Sequence, residues 1–136
     1  MSRYIPVELR KIVAERAGFR CEYCRLPEIV AMVKFQIEHI KSIKHGGETI
    51  PENLAYACPL CNANKGTDIG TVLGDDDVLV PFFHPRKHDW FEHFKPDGGE
   101  ILPRTPIGEA TIKILNFNDL ERILERTELV GAGAYP

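Results

Sequence analysis

Cys58-Pro59-Leu60-Cys61-Asn62-Ala63-Asn64-Lys65-Gly66 decides how this chain is read, together with its counterpart Cys21-Glu22-Tyr23-Cys24. Each stretch opens with a C-x-x-C knuckle, and the two knuckles use all four cysteines of the chain. Paired thiolate knuckles are what a tetrahedral Zn²⁺ requires. Four thiolates close the coordination sphere, so such an ion holds a fold together and does no chemistry. Structural zinc in finger peptides binds with roughly 10–16 kcal/mol. That matters here because the segment between the knuckles is too short to bury much core of its own. Two disulfides in an exported protein are one alternative reading of the cysteines. Rubredoxin-like iron is another, and the lack of a glycine after Cys24 or Cys61 argues against it.

Glu38-His39 and Asn53 lie between the knuckles, and Asn62 follows Cys61 directly. Hydrolysis of a phosphodiester needs a base for water, and positive charge on the non-bridging and leaving oxygens. His39 suits the base when neutral near pH 7, a form that a neighbouring cation favours. Glu38 and Asn62 offer oxygen ligands for one hard divalent ion, Mg²⁺ or Mn²⁺, leaving the remaining positions for water and phosphate. In a regular strand Glu38 and His39 point to opposite faces, so both serve one site only if the strand twists or ends between them.

Outward from the knuckles the pattern is mixed α and β. Pro6 to Ala17 reads as a helix with Val7, Ile12 and Val13 on one face and Gly18 as its cap. Val33 to Ile40 alternates as a half-buried strand does, and Leu54 to Ala57 is its partner. The Gly46-Gly47 and Pro51 stretch between them is a loop. Pro59 starts a helix that runs to Lys65 and stops at Gly66. Beyond it, Thr67 to Asp77 reads as a loop, while Trp90–Phe94 and Glu100–Leu102 read as strands joined at Pro96-Asp97-Gly98-Gly99. Helices are expected from Thr105-Pro106 to Leu115 and from an Asn118-Asp119 cap to Arg126, followed by a frayed tail. The expected division is residues 1–66, helix plus core, and residues 67–136, an α/β extension packed on that core.

The chain has 136 residues and a formal net charge of −3. No apolar run reaches the roughly 18 residues of a membrane helix. Met1-Ser-Arg-Tyr-Ile-Pro lacks an apolar signal core, so a cytoplasmic protein with no membrane partner is expected. Charge is uneven: residues 1–50 hold nine Lys and Arg against six Asp and Glu, and residues 51–136 hold eight against fourteen. A nucleic-acid partner would therefore meet a local basic surface near the zinc frame. Lys41, Lys44, Lys65, Arg86 and Lys87 are the candidate contacts. The alternative is that these are ordinary solvated cations.

The ordered set Phe35-Gln-Ile-Glu38-His39-Ile, Asn53-Leu-Ala and Cys58-Pro-Leu-Cys61-Asn62-Ala-Asn-Lys65-Gly66 resembles the HNH endonuclease family. The resemblance covers roughly residues 19–66. The three signature positions fall at His39, Asn53 and Asn62, separated by 14 and 9 residues. The third carries asparagine where the family name has histidine, a variant suited to a hard cation. The resemblance implies an α+β protein: a ββα-metal, or His-Me, finger stapled by the four-cysteine zinc site, with a helix before it and an α/β extension after it. It implies that Asn53 holds His39 in aim, and that DNA is cut to 5′-phosphate and 3′-hydroxyl ends with low intrinsic sequence specificity. RNA is the alternative substrate, and a non-catalytic zinc ribbon is the alternative function. Residues from His84-Pro-Arg to Thr105-Pro-Ile-Gly-Glu-Ala-Thr also resemble a C-terminal segment of some bacterial HNH proteins. Oligomeric state is not written in the sequence.

Overall fold

A computed structural model describes residues 4–136, which fall into two compact units, residues 4–69 and 70–136. Residues 1–3, part of the stretch read as lacking a signal core, lie outside the described residues. Among the described residues no helix is long and apolar enough to cross a membrane.

The first unit begins with α1 (Val7–Arg16), entered at Pro6 and left through Gly18 at φ +64°. Only Val13 and Ala14 of α1 are buried, whereas Val7 and Ile12 are exposed. The expected shared face fails on helical geometry, since residues five apart stand on different sides of a 3.6-residue helix. Arg16 fastens α1 instead: its guanidinium donates to the carbonyls of Pro51 (2.9 Å) and Leu54 (2.7 Å). A one-turn helix that the sequence did not announce, α2 (Glu28–Ala31), follows the first knuckle.

Two four-residue strands, β1 (Gln36–His39) and β2 (Leu54–Ala57), pair antiparallel with His39 opposite Leu54 and Glu38 opposite Ala55. The ladder is continued by Ile40 N–H donating to Asn53 O at 2.8 Å. β1 is shorter than expected, because Val33 and Lys34 stay in solvent and pairing begins only after Phe35. All of β2 is buried. α3 (Pro59–Lys65) matches its expected bounds, with Pro59 in its first turn and Gly66 at its end.

The second unit is α+β as well. β3 (Gly70–Val72), inside the stretch from Thr67 to Asp77 expected to be a loop, pairs antiparallel with β4 (Leu79–Pro81). Its Gly70 is required by contact, since a Cβ there would stand 2.5 Å from Val80 O. Trp90–His93 forms a helical turn, α4, rather than the expected strand; one turn lets both Trp90 and His93 face inward. β5 (Phe94–Asp97) and β6 (Glu100–Pro103) then make the hairpin. α5 (Pro106–Leu115) is capped by Thr105 Oγ1, which accepts from Gly108 N–H at 3.1 Å. Trp90, Phe83 and Phe117 surround the fully buried Phe94 at ring distances of 4.8 to 5.5 Å.

α6 (Leu120–Gly131) runs five residues past the expected end, and Tyr135 beyond it is buried, so the tail is not frayed. Asn118 does not cap α6; its side chain bonds both backbone groups of Ile101. Arg122 and Arg126 of α6 are buried. They donate to Leu115 O (2.7 Å) and Asn116 O (3.0 Å), and to Phe117 O (2.5 Å) and Gly99 O (2.7 Å) respectively. These cations satisfy carbonyls left over where α5 ends, and Arg126 also ties α6 to the β5–β6 turn through Gly99.

His88 lies 5.0 Å from His93, ring to ring. Burial, then the neighbouring His93 and Lys87, lower its pKa from 6.5, against a smaller opposing pull from Glu92. A histidine lowered on folding adds stability above its unfolded pKa and loses it as pH falls through the folded value. The second unit is therefore expected to weaken as pH drops below about 6.5. Urea melts monitored by Trp90 should show this, and His88→Gln should flatten the pH dependence. An unchanged profile in that variant would refute the assignment.

Candidate metal centre and pocket

The first knuckle folds as a tight turn closed by Arg25 N–H to Cys21 O (2.8 Å), with Arg25 at φ +68°. The second knuckle is the start of α3. Cys58 is its N-cap, and the Cys58 sulfur accepts from Cys61 N–H at 3.4 Å. Cys24 N–H does the same to the Cys21 sulfur at 3.4 Å. All four sulfurs are buried and lie within 4.8 Å of one another, and Cys24 Sγ is 3.8 Å from Cys58 Sγ. Ligands at about 2.3 Å from a tetrahedral Zn²⁺ stand about 3.8 Å apart, so the four sulfurs fit that ion. Burial pushes the Cys21 and Cys61 thiols well up, so four thiolates share this space only around a cation.

A cavity of about 320 Å³ opens beside this frame. Glu38, His39 and Asn62 all line it, as do Arg10 and Lys44. The strand ends at His39, which is how neighbouring residues reach one cavity despite opposite pleats. His39 is half-buried, and its Nε2 is 2.9 Å from Thr49 Oγ1. Asn62 Nδ2 donates to Gln36 Oε1, leaving the Asn62 carbonyl oxygen as an acceptor.

Asn53 ties down the loop that follows His39. Its Oδ1 accepts from Lys41 N–H (2.9 Å), and its Nδ2 donates to Lys41 O (2.9 Å) and Glu48 O (2.8 Å). Gly47 fits against this clasp: a Cβ there would stand 1.7 Å from Lys41 O and 2.8 Å from Asn53 Nδ2. No substitution at Gly47 leaves the clasp in place.

Glu38 is almost fully buried. Tyr23 OH donates to its Oε1, and Lys65 Nζ donates to its Oε2 at 3.1 Å. Burial pushes the Glu38 carboxyl up, and the Lys65 ammonium and the Tyr23 hydroxyl act against it. Burial likewise raises the Tyr23 hydroxyl, keeping it a donor. Lys65 also donates to the carbonyls of His39 (3.2 Å) and Ile40 (2.9 Å). This corrects the expectation that Lys65 is a solvent-facing contact to nucleic acid, since its ammonium points inward and is 2% exposed. Lys41 and Lys44 are exposed as expected, and Arg86 and Lys87 belong to the other unit.

The donor set fits a hard divalent ion. A carboxylate offers about four lone-pair sites, of which Tyr23 and Lys65 take two, and Asn62 lines the same cavity. Lys65 is a competing charge on the same carboxylate.

Sequence reasoning missed Tyr23, Thr49 and Arg10. Tyr23 had a signal, an aromatic inside a knuckle of buried thiolates. Arg10 had none, because the apolar pattern of α1 does not report which way its polar residues face. Neither the curated proteins nor the solved structures contain a match to this chain. The model of the HNH endonuclease family matches residues 21–68, a segment that holds the four-cysteine cluster, Glu38, His39, Asn53 and Asn62.

Proposed function

We propose that this protein is a metal-dependent endonuclease of the His-Me finger type that hydrolyses phosphodiester bonds in DNA. What supports this most is the meeting of His39, Glu38 and Asn62 on one cavity, within a segment similar to HNH endonucleases. His39 is the general base. It takes a proton from the water that attacks phosphorus, and Thr49 and the Asn53 clasp hold its ring and its loop in place. A Mg²⁺ or Mn²⁺ ion held by Glu38 and Asn62 supplies, when bound, the positive charge that a phosphate oxygen develops against. The zinc ion on Cys21, Cys24, Cys58 and Cys61 keeps α3, and so Asn62, in position. As the water oxygen bonds to phosphorus the P–O3′ bond breaks, and the leaving 3′ oxygen takes a proton from solvent, so the products are a 5′-phosphate and a 3′-hydroxyl.

The test is relaxation of supercoiled plasmid by wild type and by His39→Ala, with Mg²⁺, with Mn²⁺, or with neither. Wild type should nick only with added ion. Loss of a general base removes roughly 10²–10⁴ of rate, so the variant should be nearly inert while keeping its zinc and its circular dichroism. Equal cleavage by His39→Ala would overturn the assignment of the base. Cleavage of duplex RNA but not DNA would move the substrate class, and no cleavage of either would leave a zinc-stapled binding module.

A further inference from the structure

Arg10 lies on α1, outside the segment that matches the HNH family, and its side chain lines the same cavity as His39 and Asn62. Its Nε donates to the carbonyl of the buried Ile5 at 3.0 Å. That tether fixes one edge of the guanidinium and leaves its two NH₂ groups as donors. Among the described residues no carboxylate pairs with Arg10; the ion pairs are Lys11 with Glu15 and Lys65 with Glu38.

Charge around the cavity follows from these pairings. Glu38 is the one carboxylate among the lining residues, and Lys65 already matches it at 3.1 Å. Arg10 and Lys44 remain as unmatched cations on the wall. Such a wall favours an anion, and a planar guanidinium matches two phosphate oxygens at once where an ammonium acts as a point charge. We infer that Arg10 is a substrate-binding residue: α1 adds a phosphate clamp to the nuclease pocket, gripping a phosphodiester of the bound strand beside His39. The inference rests on the nuclease reading and names a residue for it from outside the HNH-like segment.

The experiment measures binding of a fluorescein-labelled DNA duplex without added divalent ion, and KM and kcat for its cleavage with Mn²⁺. It compares wild type, Arg10→Gln, Arg10→Lys and Lys11→Ala. Arg10→Gln keeps a donor for Ile5 O while removing the charge. It should raise Kd and KM about tenfold, as loss of a charged hydrogen bond does, with kcat within about twofold. Arg10→Lys should recover part of the loss. Lys11, on the same helix and paired with Glu15, should be replaceable without effect. Zinc content and melting temperature verify the fold, and Arg10→Ala serves as a second variant if Arg10→Gln is unstable. Wild-type Kd and KM in the Arg10 variants of an active enzyme would overturn the clamp alone. An equal loss in Lys11→Ala would overturn it too, by showing a diffuse field. A wild type that neither binds nor cuts DNA would overturn the clamp and the nuclease reading together.

Discussion

Removing the zinc ion is expected to unfold the first unit. Its secondary structure amounts to two four-residue strands, helices of ten, four and seven residues, and short turns. A domain of that size is stable by at most several kcal/mol, whereas a structural zinc contributes roughly 10–16 kcal/mol. An ion on the four cysteines would be held from both sides of the β1–β2 hairpin, so its loss would free the first knuckle and the start of α3 together. Cys58→Ser should be damaging through loss of the ligand alone, because a serine oxygen still accepts from Cys61 N–H as the N-cap of α3. Native mass spectrometry should find one zinc per chain in wild type. Hydrogen exchange across residues 20–66 should lose its protection on chelation, and largely so in Cys58→Ser. Retained protection in the chelated protein would show that the core stands without the ion and would remove zinc from this account.

Lys65→Met is the second large effect. The substitution preserves length and apolar bulk but leaves Glu38 buried with Tyr23 as its only strong donor. It also leaves the carbonyls of His39 and Ile40 without the ammonium. Breaking a buried pair from one side costs about 3–5 kcal/mol. The double variant Lys65→Met, Glu38→Gln should be less damaged than the sum of its parts, because no uncompensated charge remains. Acidity adds a second signature. Burial already raises the Glu38 carboxyl, and loss of Lys65 removes a force that lowers it. A carboxyl raised on folding contributes stability below its unfolded pKa, near about 4.3, and loses it as pH rises through the folded value. Urea midpoints of Lys65→Met should therefore recover as the solution is acidified toward that range. A variant as stable as wild type at neutral pH would sink the pair as a structural element.

Much of this is legible in the chain, for reasons that differ by residue. The bounds of β2 and α3 follow from Pro51, Pro59 and Gly66, whose backbone constraints are local. The cysteine cluster follows from spacing alone, since only a few ligand types at fixed offsets fit an ion. The burial of Lys65 was missed because a lysine is ordinarily solvated, and only the fold brings it to Glu38, 27 residues away, to cancel its charge. α4 was misread as a strand because Trp90 and Phe91 favour strands by type, while the tertiary demand to bury Trp90 and His93 together selects a turn of helix. The length of α6 was underestimated because its inward residues are arginines. A periodicity sought in apolar side chains passes over Arg122 and Arg126, although their spacing of four is helical.

The depth of the Glu38–Lys65 pair sets it apart from dissolved salt. Mobile ions screen charges that face water over about 8 Å at physiological strength, and reach buried pairs far less. Arg10 and Lys44 face water, whereas the side chains of Lys65 and Glu38 are only 2% and 4% exposed. Raising the ionic strength would thus weaken any hold of Arg10 and Lys44 on a polyanion while the internal pair keeps its attraction. If Arg10 grips a strand as inferred, positive charge in the first unit has two separate duties, and brine would distinguish them: a concentrated salt wash would strip the strand from a pocket that stays assembled.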